Sequence, residues 1–277
     1  MSGRVPPRAA HHVPPVQRLR LRYAKRGRLR FSSHRDFQRA LERALRRAEV
    51  PMAYSSGFSP HPKISYANAA PTGTASEAEY VEIALVERVD PDVVRERLDS
   101  ALPGGLDIVE VVEARTGDFA ERLQASAWRI VCPGVERADL ERAAGLLWAA
   151  GTAEVERQTK SGRKMIDVRA ALISLGVDGS APGSESPQGP GEADGESPCA
   201  ILRVVVRSVT PTVRPDDILA ALRSVAALSP EVPAMVTREA QGPLSADGVT
   251  IDDPFEPDRE FRADEVAPTG RHRTTET

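Results

Sequence analysis

Residues 18–49 read RLRLRYAKRGRLRFSSHRDFQRALERALRRAE, and the hydrophobic period changes part-way through them. Leu19, Leu21 and Tyr23 alternate with Arg18, Arg20 and Arg22, a period of two that predicts a strand with one apolar face. Gly27 allows a tight turn, and Leu29 and Phe31 predict a short second strand. Ser32, Ser33 and Asp36 then supply a capping sequence for a helix from His34 to Glu49. In that helix Phe37, Ala40, Leu41, Ala44, Leu45 and Ala48 recur every three or four residues and make one apolar face, leaving the other rich in Arg.

Working outward, Pro51 ends the helix, and Ser55–Pro62 is dense in Ser, Gly and Pro, which predicts an ordered loop. Ile64–Tyr66 and Tyr80–Leu85 read as strands, Pro91 opens a helix over Val93, Val94, Leu98 and Leu102, and Leu106–Val112 closes the unit as a strand. A second pass of similar order follows: strand 128–131, helix 139–150, strands 153–158, 164–168 and 201–206, helix 215–224 and a last strand 234–238. The element order predicts an α+β protein of two tandem ferredoxin-like βαββαβ units, over 17–115 and 125–240. Residues 1–16, an insert over 178–198 and an acidic tail over 241–277 hold few apolar residues. They are expected to be disordered, because they cannot offset chain entropy of roughly 1–2 kcal/mol per residue.

The net charge of −3 conceals a segregation. Residues 17–50 carry twelve Lys and Arg against three acids, whereas residues 77–122 carry thirteen acids against five Arg, a field able to orient a charged partner. No apolar run approaches the roughly 18 residues of a membrane helix, and the start has no apolar core of a secretory signal. A cytoplasmic protein without a membrane is therefore expected. Cys132 and Cys199 are the only cysteines and lie far apart in the chain, so no cofactor, metal or iron–sulfur centre is expected on thiolates. Trp128 and Trp148 read as core residues, and Asp167 with Arg169 as a structural ion pair or strand-edge contacts.

The densest candidate site is the loop SGFSPHPKIS, residues 56–65, together with FSSHRD, residues 31–36. Pro60 and Pro62 stiffen the chain around His61, and Gly57 permits close backbone approach, so Ser59, His61 and Lys63 are presented outward. A convergence of His34 at a positive helix N-terminus with Arg35, His61 and Lys63 suits a phosphate or carboxylate oxygen. His34 alternatively only caps its helix, and the face of Arg35, Arg39, Arg43 and Arg46 alternatively is only solvated. His34 with Asp36, or His61 with Ser59, is the nearest approach to a base with an orienting partner, so His34 and His61 are the catalytic candidates.

The run from Arg20 through Tyr80, with HRDFQRALERALRRA and GFSPHPKISYA, resembles a radical-SAM-associated family of unknown function whose members occur free or fused behind radical S-adenosylmethionine proteins. The similarity continues more weakly through the second unit, including Lys164–Arg169, and fails in the insert and tail. It implies a radical SAM protein as partner and RNA as a shared substrate, with no established activity. Arg20, Arg22, Arg28 and Arg30 on a ferredoxin-like sheet suit RNA, and an aromatic content of 4% favours backbone contact over base stacking. The leading expectation is a companion of a radical SAM enzyme that binds RNA or another phosphate-bearing substrate and is not catalytic on its own. Two further functions are compatible: a metal-independent RNA-processing endonuclease, since tandem ferredoxin-like units also look similar to CRISPR-associated endonucleases with a His general base, and a protein-interaction adaptor.

Overall fold

The computed structural model describes residues 13–159, 162–178 and 198–260. Its first half contains β1 (Gln17–Lys25), a 3-10 turn (Gly27–Phe31), α1 (His34–Arg47), β2 (Ile64–Ala67), β3 (Ala75–Leu85), α2 (Pro91–Ala101) and β4 (Leu106–Glu113). After the short α3 (Phe119–Arg122), the second half contains β5 (Ala125–Pro133), α4 (Arg137–Ala149), β6 (Glu154–Thr159) and β7 (Gly162–Asp167). It continues with α5 (Val168–Ala171), β8 (Leu172–Asp178), β9 (Cys199–Arg207), α6 (Pro215–Ala226), β10 (Met235–Gly242) and α7 (Glu256–Glu260). The protein is a mixed α+β structure built on one eight-stranded sheet in the order β4-β1-β3-β10-β5-β9-β8, with β2 hydrogen-bonded to β3.

Each half buries its own core. Leu19, Leu21 and Tyr23 on β1 meet Phe37, Leu41, Ala44 and Leu45 on α1 and Val94 and Leu98 on α2, with the Tyr23 and Phe37 rings stacked at 4.1 Å. In the second half Ile130, Leu202 and Val204 on the sheet pack under Leu140 and Leu147 of α4 and Ile218 and Leu222 of α6. Among the described residues all sheet pairings are antiparallel except one: β3 and β10 run parallel through Ala75, Ser76, Thr237 and Arg238, and this short ladder joins the halves.

Several expectations are corrected. Leu29–Phe31 forms a 3-10 turn instead of a strand, because β3 and β4 already occupy both edges of β1 and leave no partner for a hairpin. The strands at 153–158 and 164–168 exist, but as a β6–β7 hairpin forming its own two-stranded sheet; β8, unread in the sequence, occupies the edge beside β9. Trp148 is exposed, with Arg169 stacked 4.4 Å over its ring and donating to its carbonyl at 2.9 Å. Asp167 does not pair with Arg169; it accepts from the Ala153 N–H at 3.1 Å and caps α5.

The tail departs furthest from expectation. Residues 241–260 finish β10, make a Leu244–Ile251 bridge and form α7, with Phe255 fully buried against Tyr80 and Phe119. Asp258 of α7 sits beneath Arg20 and Thr116. Three aromatic rings with two-sided burial outweigh the acidic composition that suggested disorder. Asp178, expected to open the insert, instead ends β8, and residues 1–12, 179–197 and 261–277, on which most of the remaining expected disorder falls, lie outside the described residues.

Candidate functional site

The basic segment 17–50 divides into two populations of arginine. On β1 and just past its end, the guanidinium groups of Arg18, Arg20, Arg22 and Arg26 are engaged by carboxylates. Arg18 meets Glu82 at 2.9 Å, Arg22 meets Glu110 at 3.2 Å, and Arg26 meets Glu77 and Asp107. Arg20 is 3% exposed and donates to Asp258 at 2.5 Å, Glu82 at 3.1 Å and the Thr116 carbonyl at 2.6 Å, while its guanidinium lies 4.9 Å from the Phe119 ring centroid. The partners come from the acidic segment and from α7, so Arg20 and Arg22 serve the fold and do not present free charge to a ligand. Arg28 and Arg30 lie on the 3-10 turn, with Arg30 4.7 Å from the Phe31 ring centroid, so no four-arginine sheet surface forms.

On α1 the balance is opposite. The helix starts because Ser33 accepts from the Asp36 N–H at 3.2 Å while the Asp36 carboxylate accepts from Ser33, a capping box that holds the Asp36 carboxyl below its ordinary range. Its apolar face is spent on β1, which forces Arg35, Arg39, Arg43 and Arg46 outward. All four are exposed, and none forms a salt bridge with a described residue. At 1.5 Å per residue they span about 16 Å of one helix face.

His34 and His61 do not share a pocket lining. The His34 ring packs edge-on to Tyr66 at 4.9 Å, on the helix side of β2, and its Nε2 lies 3.0 Å from the Gln38 amide. His61 instead lines an open groove of about 390 Å³ with Arg18, Lys63, Ser65 and Glu82. Alternation along β2 explains the separation: Tyr66 turns toward Phe37, 6.1 Å away, while Ser65 faces the groove opposite Glu82. The expected convergence of both histidines with Arg35 and Lys63 is thus replaced by two surfaces flanking one edge strand.

The loop itself is tied as well as stiffened. The Ser55 N–H donates to the His61 carbonyl at 2.8 Å, the His61 N–H donates to the Ser55 hydroxyl at 3.0 Å, and Tyr54 bridges Pro62. Gly57 adopts φ +130° with open space around it, a conformation that only glycine takes without strain. Ser59 and His61 are exposed, and Phe58 stands fully in solvent at the loop tip.

The sequence reading missed a third place, at the seam between the halves. Arg238 of β10 is buried and donates to Glu79 of β3, to the Asn68 carbonyl at 2.7 Å and to Ser76 at 3.3 Å, under the Trp128 ring. Beside it opens a cleft of about 190 Å³ lined by Trp128, Arg207, Arg214, Arg238 and Gln241 among others. These residues come from β5, β9, the start of α6 and β10, and no local pattern links them.

The cysteines stay apart from these sites. Cys132 is buried and its thiol is pushed up to about 11 by that burial. It stands opposite Ala200, whereas Cys199 stands opposite Pro133, so the two side chains leave their strands on opposite faces. No helix among the described residues is long and apolar enough to cross a membrane.

No curated protein matches the chain. A family model described as an uncharacterized protein conserved in bacteria, DUF2344, matches residues 18–215, from β1 to the first residue of α6. That match spans more than half of the chain, and the chain belongs to this uncharacterised bacterial family.

Proposed function

We propose that the chain binds the phosphodiester backbone of RNA through the arginine face of α1, as a companion to a radical SAM enzyme. The observation that carries this reading is the split among the arginines: those of β1 are neutralised by acids, and Arg35, Arg39, Arg43 and Arg46 are exposed without a salt bridge. Guanidinium groups kept in water along one face are suited to successive phosphates, which they grip through paired N–H donors. The scarcity of aromatic residues supports backbone contact over base stacking. The link to a radical enzyme rests on the resemblance of residues 20–80.

The ferredoxin-like reading belongs to the same proposal. In the first half the strands lie in the order β4-β1-β3-β2, and in the second β10-β5-β9-β8. Each half places a helix after its first and third sheet strand, which supports two tandem βαββαβ units with the β6–β7 hairpin inserted into the second.

Fluorescence anisotropy of a labelled single-stranded RNA tests the function. Combined Arg39→Ala, Arg43→Ala and Arg46→Ala substitution is expected to weaken binding at least about a hundredfold, since each charge-assisted contact contributes about 1.5–3 kcal/mol. Arg137→Ala, on the exposed face of α4, is expected to change nothing. Equal loss in both proteins would leave the α1 face with no special role.

A further inference from the structure

The seam cleft has a composition that the fold does not require. Among the described residues lining it, three are arginines and none is a carboxylate. Arg238 is already satisfied by Glu79, Ser76, Asn68 and Gln241, and its place is fixed by burial. Arg207 and Arg214 are different: both are exposed, and neither forms a salt bridge with a described residue. The nearby carboxylate of Asp217 is engaged by Arg157 at 2.7 Å and by the Arg214 N–H at 2.7 Å, which leaves it turned to those partners.

Unbalanced cations beside a partly closed wall repel one another, and an anion relieves that repulsion while gaining two guanidinium forks. The Trp128 ring forms the wall, fixed by its indole N–H donating to the Ser126 hydroxyl at 2.9 Å. A volume of about 190 Å³ holds a tetrahedral oxyanion with part of what it is attached to, and is below the range of about 300–1,000 Å³ for larger ligands. We infer that the cleft between Trp128, Arg207 and Arg214 is a binding site for a phosphate monoester. The dianionic group sits between the two guanidinium groups, and Arg238, held by Glu79, forms the back of the cleft. This site is separate from the α1 face, and it stands whether or not that face binds RNA.

Tryptophan emission reports on it directly. In full-length Trp148→Phe protein, Trp128 is the only tryptophan left. Titration with glycerol phosphate, a small phosphate monoester, is expected to change its emission saturably, with a dissociation constant below about 1 mM. Arg207→Ala and Arg214→Ala, both at exposed positions, are each expected to weaken that response about ten- to hundredfold with an unchanged circular dichroism spectrum. The α1 triple substitution should leave it as it is. A 5′-phosphorylated oligonucleotide that competes where its 5′-hydroxyl counterpart does not identifies the monoester as a nucleic-acid end; competition by small phosphates alone identifies a free metabolite. A response that fails to saturate, or one untouched by both arginine substitutions, overturns the assignment.

Discussion

Arg238 and Glu79 meet where the parallel β3–β10 ladder joins the two halves, and both are almost wholly buried. Removing one member of such a pair leaves the other charged and without solvent, at a cost of about 3–5 kcal/mol. Arg238→Met is therefore expected to lower the urea midpoint strongly. Arg203→Ala, which breaks exposed pairs to Asp178 and Glu239, should change stability by less than about 1 kcal/mol. Comparable losses in the two variants would mean that the seam pair is not a special support. Asp258 makes a second residue-scale test. Burial raises its carboxyl, but hydrogen bonds from Thr116 and Arg20 outweigh it and hold the group below its ordinary range. A carboxyl depressed in the folded state stabilises the protein above the unfolded value near 3.9, and that contribution is lost as pH falls through the lower folded value. Asp258→Asn should thus be less stable than the parent at pH 7 and show a flatter loss of stability below about pH 4. An acid limb identical to the parent's would contradict it. None of these partnerships was legible beforehand: Arg20 and Asp258 are 238 positions apart, and an alternating Arg on a strand reads the same whether it meets water or a carboxylate.

At the scale of elements, α1 was readable because everything that defines it is local. The Ser33–Asp36 capping box, the apolar period and the run of arginines all lie within its own residues. α7 is the reverse case. A five-residue helix in a Pro-interrupted acidic segment has little intrinsic stability, and it forms because Phe255 fits against Tyr80 and Phe119 and Asp258 satisfies Arg20. Tertiary packing overrode composition there. Phe255→Ala is expected to cost about 3–5 kcal/mol, and truncation after Gly242 should lower the melting temperature by many degrees. A truncated protein that melts with the full-length chain would show that the tail adds nothing to the core. The loop at 55–62 lies between these cases. Its glycine and prolines announced an ordered turn, and the Ser55–His61 bonds that close it are local, yet the groove it faces depends on β2 and β3.

For the whole molecule, the sheet draws on both halves, and among the described residues the one parallel pairing crosses between them. Element order in the sequence was enough to place most strands and helices. It gave no register, so the seam, the α7 latch and the separation of His34 from His61 emerged only with the sheet assembled. The charge segregation along the chain acquires a physical sense at this scale: acids from β3, β4 and α7 neutralise the arginines of β1, while Arg35, Arg39, Arg43 and Arg46 of α1 stay without a salt bridge to a described residue. Salt dependence of RNA affinity tests those four directly. Each phosphate neutralised on a single strand contributes about −0.7 to the slope of log K against log salt. Four engaged arginines predict a slope of about −3 for the parent, falling to about −1 with Arg39, Arg43 and Arg46 replaced by Ala. A parent slope near zero, or the same slope in both proteins, would contradict the assignment of RNA binding to the exposed face of α1.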